Sequence, residues 1–310
     1  MLWVLLALPV LAAVACAVLA HLICFRQSLP DFRDTEALKN RGWGAQAEEV
    51  AAFRDWLAKK TTVEVQVDSD DELTLRGLLV PRKDAVGTAL LFHGCRSGCL
   101  ADFAGIGQFL YSKGYNLILT DARAHGASGG HWCTYGLWER FDVRAWCNYC
   151  TIRFPDGHPV FVFGQGMGAA AALAAAEFDL PGNVRGIVAE GAYTSPREIL
   201  EQALSKTPFP AGAALRMANA YTRLAFGIDL RRDPGAEDAA RGAAYPALIL
   251  HGGADAVVPP DMARRLFSAY GYDKQLMVVE NAPHARCRST EPERWDDAVG
   301  FFLDAHLKHE

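Results

Sequence analysis

The chain carries little net charge. Its 31 Lys and Arg stand against 36 Asp and Glu, a formal -5, with no basic excess of the kind a polyanion needs, so nucleic acid is not expected as a partner. It also has no Lys or Arg before Arg26 and no charged or strongly polar residue from Leu2 to Ala20. A cleaved signal peptide needs a basic start and an apolar stretch of roughly 7 to 15 residues, and this start has neither. With His21-Leu22-Ile23-Cys24-Phe25 the apolar segment exceeds the roughly 20 residues that span a bilayer. The expectation is a single transmembrane anchor over residues 1–25. Positive charges follow it at Arg26, Arg33, Lys39 and Arg41, and by the positive-inside tendency they put the large domain in the cytoplasm.

Cysteine is also sparse, with eight in 310 residues. Cys16 and Cys24 fall in the apolar segment, leaving Cys95, Cys99, Cys133, Cys147, Cys150 and Cys287. The chain is far longer than the small disulfide scaffolds for which cysteine counting decides a compartment. Cys147 and Cys150 form a C-x-x-C late in a helical pattern, where packing explains it better than redox chemistry. No set of metal ligands and no cofactor motif stands out, so no cofactor is expected.

What the chain has is apolar residues, 51% of the total, arranged to bury a sizeable core. Residues 26–60 read as a linker containing an amphipathic helix over 32–60, with Ala47, Val50, Ala51, Phe53, Trp56 and Leu57 on its face. From residue 61 to 310 strands and helices alternate. Residues 61–67 and 73–80 suggest an antiparallel pair. Apolar strands follow near 88–92, 115–120, 158–163, 184–189, 247–250 and 276–279. Helices are expected over 100–113, 137–152 (with Trp138, Phe141, Ala145 and Tyr149 on one face), 262–269 and 293–307. Continuous apolar strands alternating with helices indicate an α/β fold, a mainly parallel, doubly wound sheet, whose sites form beyond the carboxyl ends of strands. Residues 193–244 break the alternation with the apolar run Pro208-Phe209-Pro210 through Leu215, Met217, Tyr221, Leu224 and Phe226, which fits a helical lid inserted above the site.

One absence matters most. In His158-Pro159-Val160-Phe161-Val162-Phe163-Gly164-Gln165-Gly166-Met167-Gly168-Ala169-Ala170 a buried strand enters a glycine cluster and leaves as an alanine-rich helix. That is the frame of a nucleophile elbow, Gly-x-Ser-x-Gly, but the central position holds Gly166. Glycine suits a reversal that strains one residue and leaves no room for flanking side chains. The geometry is kept and the attacking hydroxyl is missing.

Four further segments lie at strand ends in a consistent order: His93-Gly94; Asp121-Ala122-Arg123-Ala124-His125-Gly126-Ala127-Ser128-Gly129; His251-Gly252-Gly253-Ala254-Asp255-Ala256-Val257-Val258-Pro259; and Asn281-Ala282-Pro283-His284. With the elbow they make the chain from about Leu73 to Leu307 resemble the α/β-hydrolase superfamily, and within it the membrane-anchored bacterial hydrolases similar to serine aminopeptidases. The resemblance implies that Asp255 is the acid, His284 the base and Gly166 the occupant of the nucleophile's place. It also implies that the backbone N–H groups of Cys95 and Met167 form an oxyanion hole. In such an arrangement Asp255 would fix the tautomer of His284, which would deprotonate the attacking group.

Other readings of these residues stand beside this one. Asp255 alone could cap the helix that follows it. His93 and His251 read as turn-shaping residues. Arg123 and His125 read as braces of their loop, with Asp121 as partner, and a metal there lacks ligands. Without Oγ, covalent acyl transfer is expected to be weak or absent. His284 could instead activate a water over Gly166, or a surrogate nucleophile could act, with Cys95 a better candidate than Ser128. Ser and Gly codons can differ by one base, so an inactivated variant of an active serine hydrolase is a third reading. Two function classes follow. One is a hydrolase of esters, amides or peptides with an apolar portion; the other is a non-catalytic relative binding an apolar ligand or a partner in the same pocket.

Overall fold

In a computed structural model the protein is described over residues 2–28, 31–32, 34–40, 44–155, 157–208 and 210–307, with 2–9 and 45 described by backbone alone. The strands are β1 (Val63–Asp68), β2 (Thr74–Val80), β3 (Gly87–Phe92), β4 (Tyr115–Thr120), β5 (Val160–Gln165), β6 (Val184–Glu190), β7 (Ala247–Gly252) and β8 (Lys274–Val279). The helices are α1 (Leu2–Cys24), α2 (Thr35–Asn40), α3 (Gly44–Leu57), α4 (Cys99–Asp102), α5 (Ile106–Ser112), α6 (Glu139–Arg153), α7 (Met167–Ala175), α8 (Pro196–Leu204), α9 (Ala211–Phe226), α10 (Ala236–Ala240), α11 (Pro260–Ala269), α12 (Cys287–Thr290) and α13 (Pro292–His306).

The strands form one sheet in the order β1-β2-β4-β3-β5-β6-β7-β8. β2 runs antiparallel to β1 and β4, and all other neighbours are parallel. The interior strands β3, β4, β5 and β7 are buried at every position, which is why they read as unbroken apolar runs. Alternate residues feed two cores. Leu90 and Phe92 of β3, with Val160 and Val162 of β5, pack toward Trp146 and Leu173, while Ala89, Leu91, Phe161 and Phe163 pack toward Phe53, Trp295 and Phe302. The order reverses at β4-β3-β5, and the register sets Phe92 opposite Gly164. The carboxyl ends of β3 and β5 therefore lie level beside a crevice of the type where ligands bind in such sheets.

The amino terminus departs from the expectation. Among the described residues no helix is long and apolar enough to cross a membrane. The anchor over residues 1–25, the single-pass membrane localisation and the cytoplasmic side argued from the flanking charges are all withdrawn; Arg33 and Arg41, two of those charges, lie outside the described residues. The end of α1 belongs to the protein's own core. Ala20, Ile23 and Cys24 are buried, and the helix packs along α9. Its last carbonyls, which no helical amide can reach, are satisfied by the domain. Tyr135 Oη donates to Ile23 O (2.7 Å) and Arg96 to Leu22 O (2.9 Å) and Ile23 O (3.3 Å). The Cys133 amide donates to Cys24 O (2.8 Å).

Two helices were read too long. The linker helix over 32–60 is α2 and α3. The helix over 100–113 is α4 and α5, separated at Gly105, whose φ of +73° is a left-handed conformation that favours glycine. α6 is rotated from its expected face: Val143, Trp146, Cys147 and Cys150 are buried, whereas Trp138, Phe141, Ala145 and Tyr149 are only half-buried. The C-x-x-C cysteines are thus packing residues. The 193–244 interval contains α8, α9 and α10; Phe209 of its apolar run lies outside the described residues.

Candidate active site

β5 enters the turn at Gln165, Gly166 adopts φ 54° and ψ -112°, and α7 begins at Met167. A Cβ at Gly164 would lie 2.4 Å from Gly168 O, and one at Gly168 would lie 2.0 Å from Phe92 O. The two flanking glycines are therefore imposed by backbone contact between helix and strand. The centre of the turn is different. A Cβ at Gly166 would meet His284 Nε2 at 3.3 Å and Gly94 Cα at 3.6 Å, so the imidazole faces the place where a side chain would begin.

His284 follows β8. Its Nδ1 lies 2.6 Å from Asp255 Oδ2. A carboxylate can only accept, so Nδ1–H donates and Nε2 carries the lone pair toward the turn. Asp255 Oδ1 accepts from the amides of Val257 and Val258, both at 2.8 Å. Asp255 does not cap α11, whose first turn begins after Pro259 with no side-chain bond; one carboxylate oxygen holds the turn at Val257 and Val258 and the other meets His284. Burial raises the pKa of Asp255. The hydrogen bond and charge of His284, with the two amides, outweigh that and hold it below the ordinary carboxylate value.

His251 shapes its turn as expected, whereas Gly191 and Glu190 are supporting residues that the sequence did not single out. His251, fully buried, places Nε2 3.0 Å from Val258 O and 3.5 Å from Asp255 Oδ2, and burial pushes its pKa down, which favours the neutral ring. Gly191 gives the imidazole room, since a Cβ there would lie 3.0 Å from His284 Cε1. Glu190, at the end of β6, accepts from the Cys287 amide (2.8 Å) and Trp295 Nε1 (3.1 Å), and its carbonyl accepts from the Gly166 amide (2.9 Å). A buried glutamate ending a strand was the available signal.

Gly94, Cys95, Gly166, Met167 and His284 border one cavity of about 470 Å³, walled by Tyr135, Tyr193, Ile199, Ala203, Val257 and Val258. Met167 opens α7, where an amide has no acceptor within the helix. The loop of Cys95 is held by Asp102, which accepts from the Gly94 amide (2.7 Å) and Ser97 Oγ (2.5 Å). Another cavity of about 480 Å³, bordered by Phe32, Val65, Arg76 and Asp121, contains none of these groups.

The loop after β4 is braced differently from the expectation. Arg123 pairs with Asp71 (3.0 Å) and Asp142 (2.6 Å), while Asp121 accepts from the Ala127 amide (2.7 Å) within its own loop. Asp71 and Asp142 are distant in sequence, so adjacency misassigned the partner. His93 shapes its turn, with Nδ1 2.8 Å from Gly94 O and Nε2 accepting from the Ala122 amide at 3.0 Å. Ser128 Oγ donates to Asp121 O (2.6 Å) and accepts from the Arg76 amide (2.8 Å), which occupies it structurally. The Cys95 thiol faces Cys133, at 3.7 Å between sulfurs. Among the described residues no group of three or more His, Cys, Asp or Glu could hold a metal ion.

Residues 83–236 match the family described as serine aminopeptidase, S33. The uncharacterized protein YqkD of Bacillus subtilis is 25% identical over 232 residues, covering 74% of this chain and 75% of that protein. An esterase of Pyrococcus furiosus superposes with a TM-score of 0.66 at 22% identity, over 80% of this chain and 92% of that one. An alpha/beta hydrolase of Penicillium sp. sh18 superposes with a TM-score of 0.61 at 18% identity, over 80% and 99% of the two chains.

Proposed function

We propose, from the premise that this chain has the α/β-hydrolase fold, that it is an ester-, amide- or peptide-hydrolase-type protein whose triad is incomplete. Asp255 is the acid, His284 the base, and Gly166 stands where the nucleophile would be. The amides of Cys95 and Met167 are the oxyanion donors. The observation that carries this reading is that His284 Nε2 lies 3.3 Å from where a side chain on Gly166 would begin, so that a hydroxyl carried one bond further at this turn would stand beside the general base.

Without that hydroxyl no acyl-enzyme forms at residue 166. In serine proteases the loss of such a group costs about 10⁶ in rate and leaves roughly 10³ to 10⁴ over water from the oxyanion hole and binding. His284, oriented by Asp255, can still take a proton from a water in the cavity, so slow direct hydrolysis is the residual chemistry. The apolar walls contributed by Ile199 and Ala203 of α8 and by Val257 and Val258 favour a substrate or ligand with an apolar portion. The esterase likeness agrees with an ester. A second reading, a binding protein without turnover, draws support from the identity of Gly166 itself.

The discriminating experiment is labelling with a fluorophosphonate. The expected outcome is no adduct on the wild type and an adduct at residue 166 in Gly166→Ser. A rapid wild-type adduct mapped elsewhere would show that the nucleophile has been misplaced. Should the wild type hydrolyse an activated ester, His284→Ala abolishes that activity; an unchanged rate removes the water-activation scheme and leaves the binding protein.

A further inference from the structure

Beside the oxyanion amides lies a sulfur cluster that the hydrolytic reading does not use. Cys95 Sγ is 3.7 Å from Cys133 Sγ, and Cys133 Sγ is 3.3 Å from Met167 Sδ. Cys95 is partly exposed and borders the 470 Å³ cavity. Cys133 is buried behind it. We propose that Cys95 and Cys133 form an oxidisable dithiol that hydrogen peroxide entering the cavity closes to a disulfide.

The geometry gives each sulfur a different part. Cys95, reachable from the cavity, attacks the peroxide oxygen as the thiolate; the O–O bond breaks, giving sulfenic acid and a hydroxide that takes up the thiol proton as water. The Cys133 thiol then attacks that sulfur, the S–O bond breaks, and a second water leaves. Two thiols lose two hydrogens and one peroxide is reduced, so the step balances. The hydrogen bond from Cys133, with the further one from His125, holds the Cys95 pKa below the ordinary thiol value against the effect of burial, and the same contact raises that of Cys133. Closure needs the sulfurs to approach from 3.7 Å to about 2.05 Å. Cys95 sits in a loop after β3, outside any ladder or helix, so it can supply that movement. Cys147, Cys150 and Cys287 are internal controls, buried with raised thiol pKa values.

The test treats the folded wild-type protein with hydrogen peroxide and maps its peptides. The expected result is a cross-linked pair containing Cys95 and Cys133, lighter by two hydrogens and reversed by dithiothreitol, with the three control cysteines still reduced. Overoxidation of Cys95 without a cross-link, or no reaction at Cys95, overturns the proposal. In Cys133→Ala the sulfenic acid at Cys95 persists and is trapped by dimedone; should that variant not fold, the wild-type map decides alone. One consequence rests on the hydrolytic reading. In Gly166→Ser, oxidation moves the Cys95 amide and slows fluorophosphonate labelling about a hundredfold, the usual cost of one oxyanion donor. An intact cross-link with unchanged labelling would count against the oxyanion role of Cys95 and not against the dithiol.

Discussion

Asp255 is the residue on which the site turns. Its side chain is fully buried and serves three donors, one of them the imidazole. Asp255→Asn should therefore destabilise the fold by about 1.5 to 3 kcal/mol at pH 7, the range for hydrogen bonds to a charged group. The pH dependence has a definite sign. The folded-state pKa lies below the unfolded one, so the stabilisation is present above about pH 4 and is lost as pH falls through the lower folded value. Denaturant unfolding of wild type and variant should show a constant gap from pH 7 to about 4 that narrows below; a gap that closes already at pH 6 would assign it to another group. In the Gly166→Ser background the same substitution should slow labelling by about 10⁴, the cost of the wrong tautomer. At this scale the sequence was informative wherever a residue's role is set by its own loop. Gly164 and Gly168 could be read as steric necessities because helix and strand meet within five residues. The partners of Arg123 could not, because Asp71 and Asp142 come from a turn before β2 and from α6.

Among the elements, α1 is the one whose role changed. Apolar length alone suggested a membrane span, but length does not show which neighbours cover the apolar face. Here α9 and the segment around Cys133 cover the last turns of α1, and the Tyr135 hydroxyl holds the Ile23 carbonyl. Tyr135→Phe leaves that buried carbonyl with one donor fewer. A cost of about 1 kcal/mol is expected, concentrated in the docking of α1. Hydrogen exchange should quicken for the amides at 20–26 while those of β5 stay protected. Unchanged exchange there would mean that packing on α9 and the bonds from Arg96 and the Cys133 amide hold the helix without the hydroxyl. The rotation of α6 has a similar origin. The aromatics Trp138, Phe141 and Tyr149 drew the predicted face toward themselves, but Cys147 and Cys150 pack against the sheet as small apolar groups. Strands were easier to read, since β3, β4, β5 and β7 are buried on both faces and need no partner to show their type.

Across the whole molecule, the site depends on the ends of several strands being level and on one buried group that ties them together. The sheet order brings the ends of β3, β5, β6 and β7 beside His284, and Glu190 at the end of β6 links the elbow turn to α12 and α13. Its carbonyl takes the Gly166 amide, and its two carboxylate oxygens take the Cys287 amide and the Trp295 indole. The chain from 284 to 287 is short, so what fixes Cys287 also limits the swing of His284. Glu190→Gln preserves shape but turns an amide NH₂ toward one of two buried N–H donors, leaving that donor without an acceptor, at a cost of about 1 to 3 kcal/mol. The expected result in Gly166→Ser is a lower midpoint of thermal unfolding together with a reduced labelling rate at saturating probe and little change in probe affinity, because the cavity walls from α8 and residues 257–258 do not rest on Glu190. Loss of stability with a full labelling rate would show that the imidazole is aligned by Asp255 and Gly191 without help from β6. Neither the sequence order nor the spacing of residues 190, 287 and 295 reveals this link; it exists only once the sheet has brought three distant segments to one end.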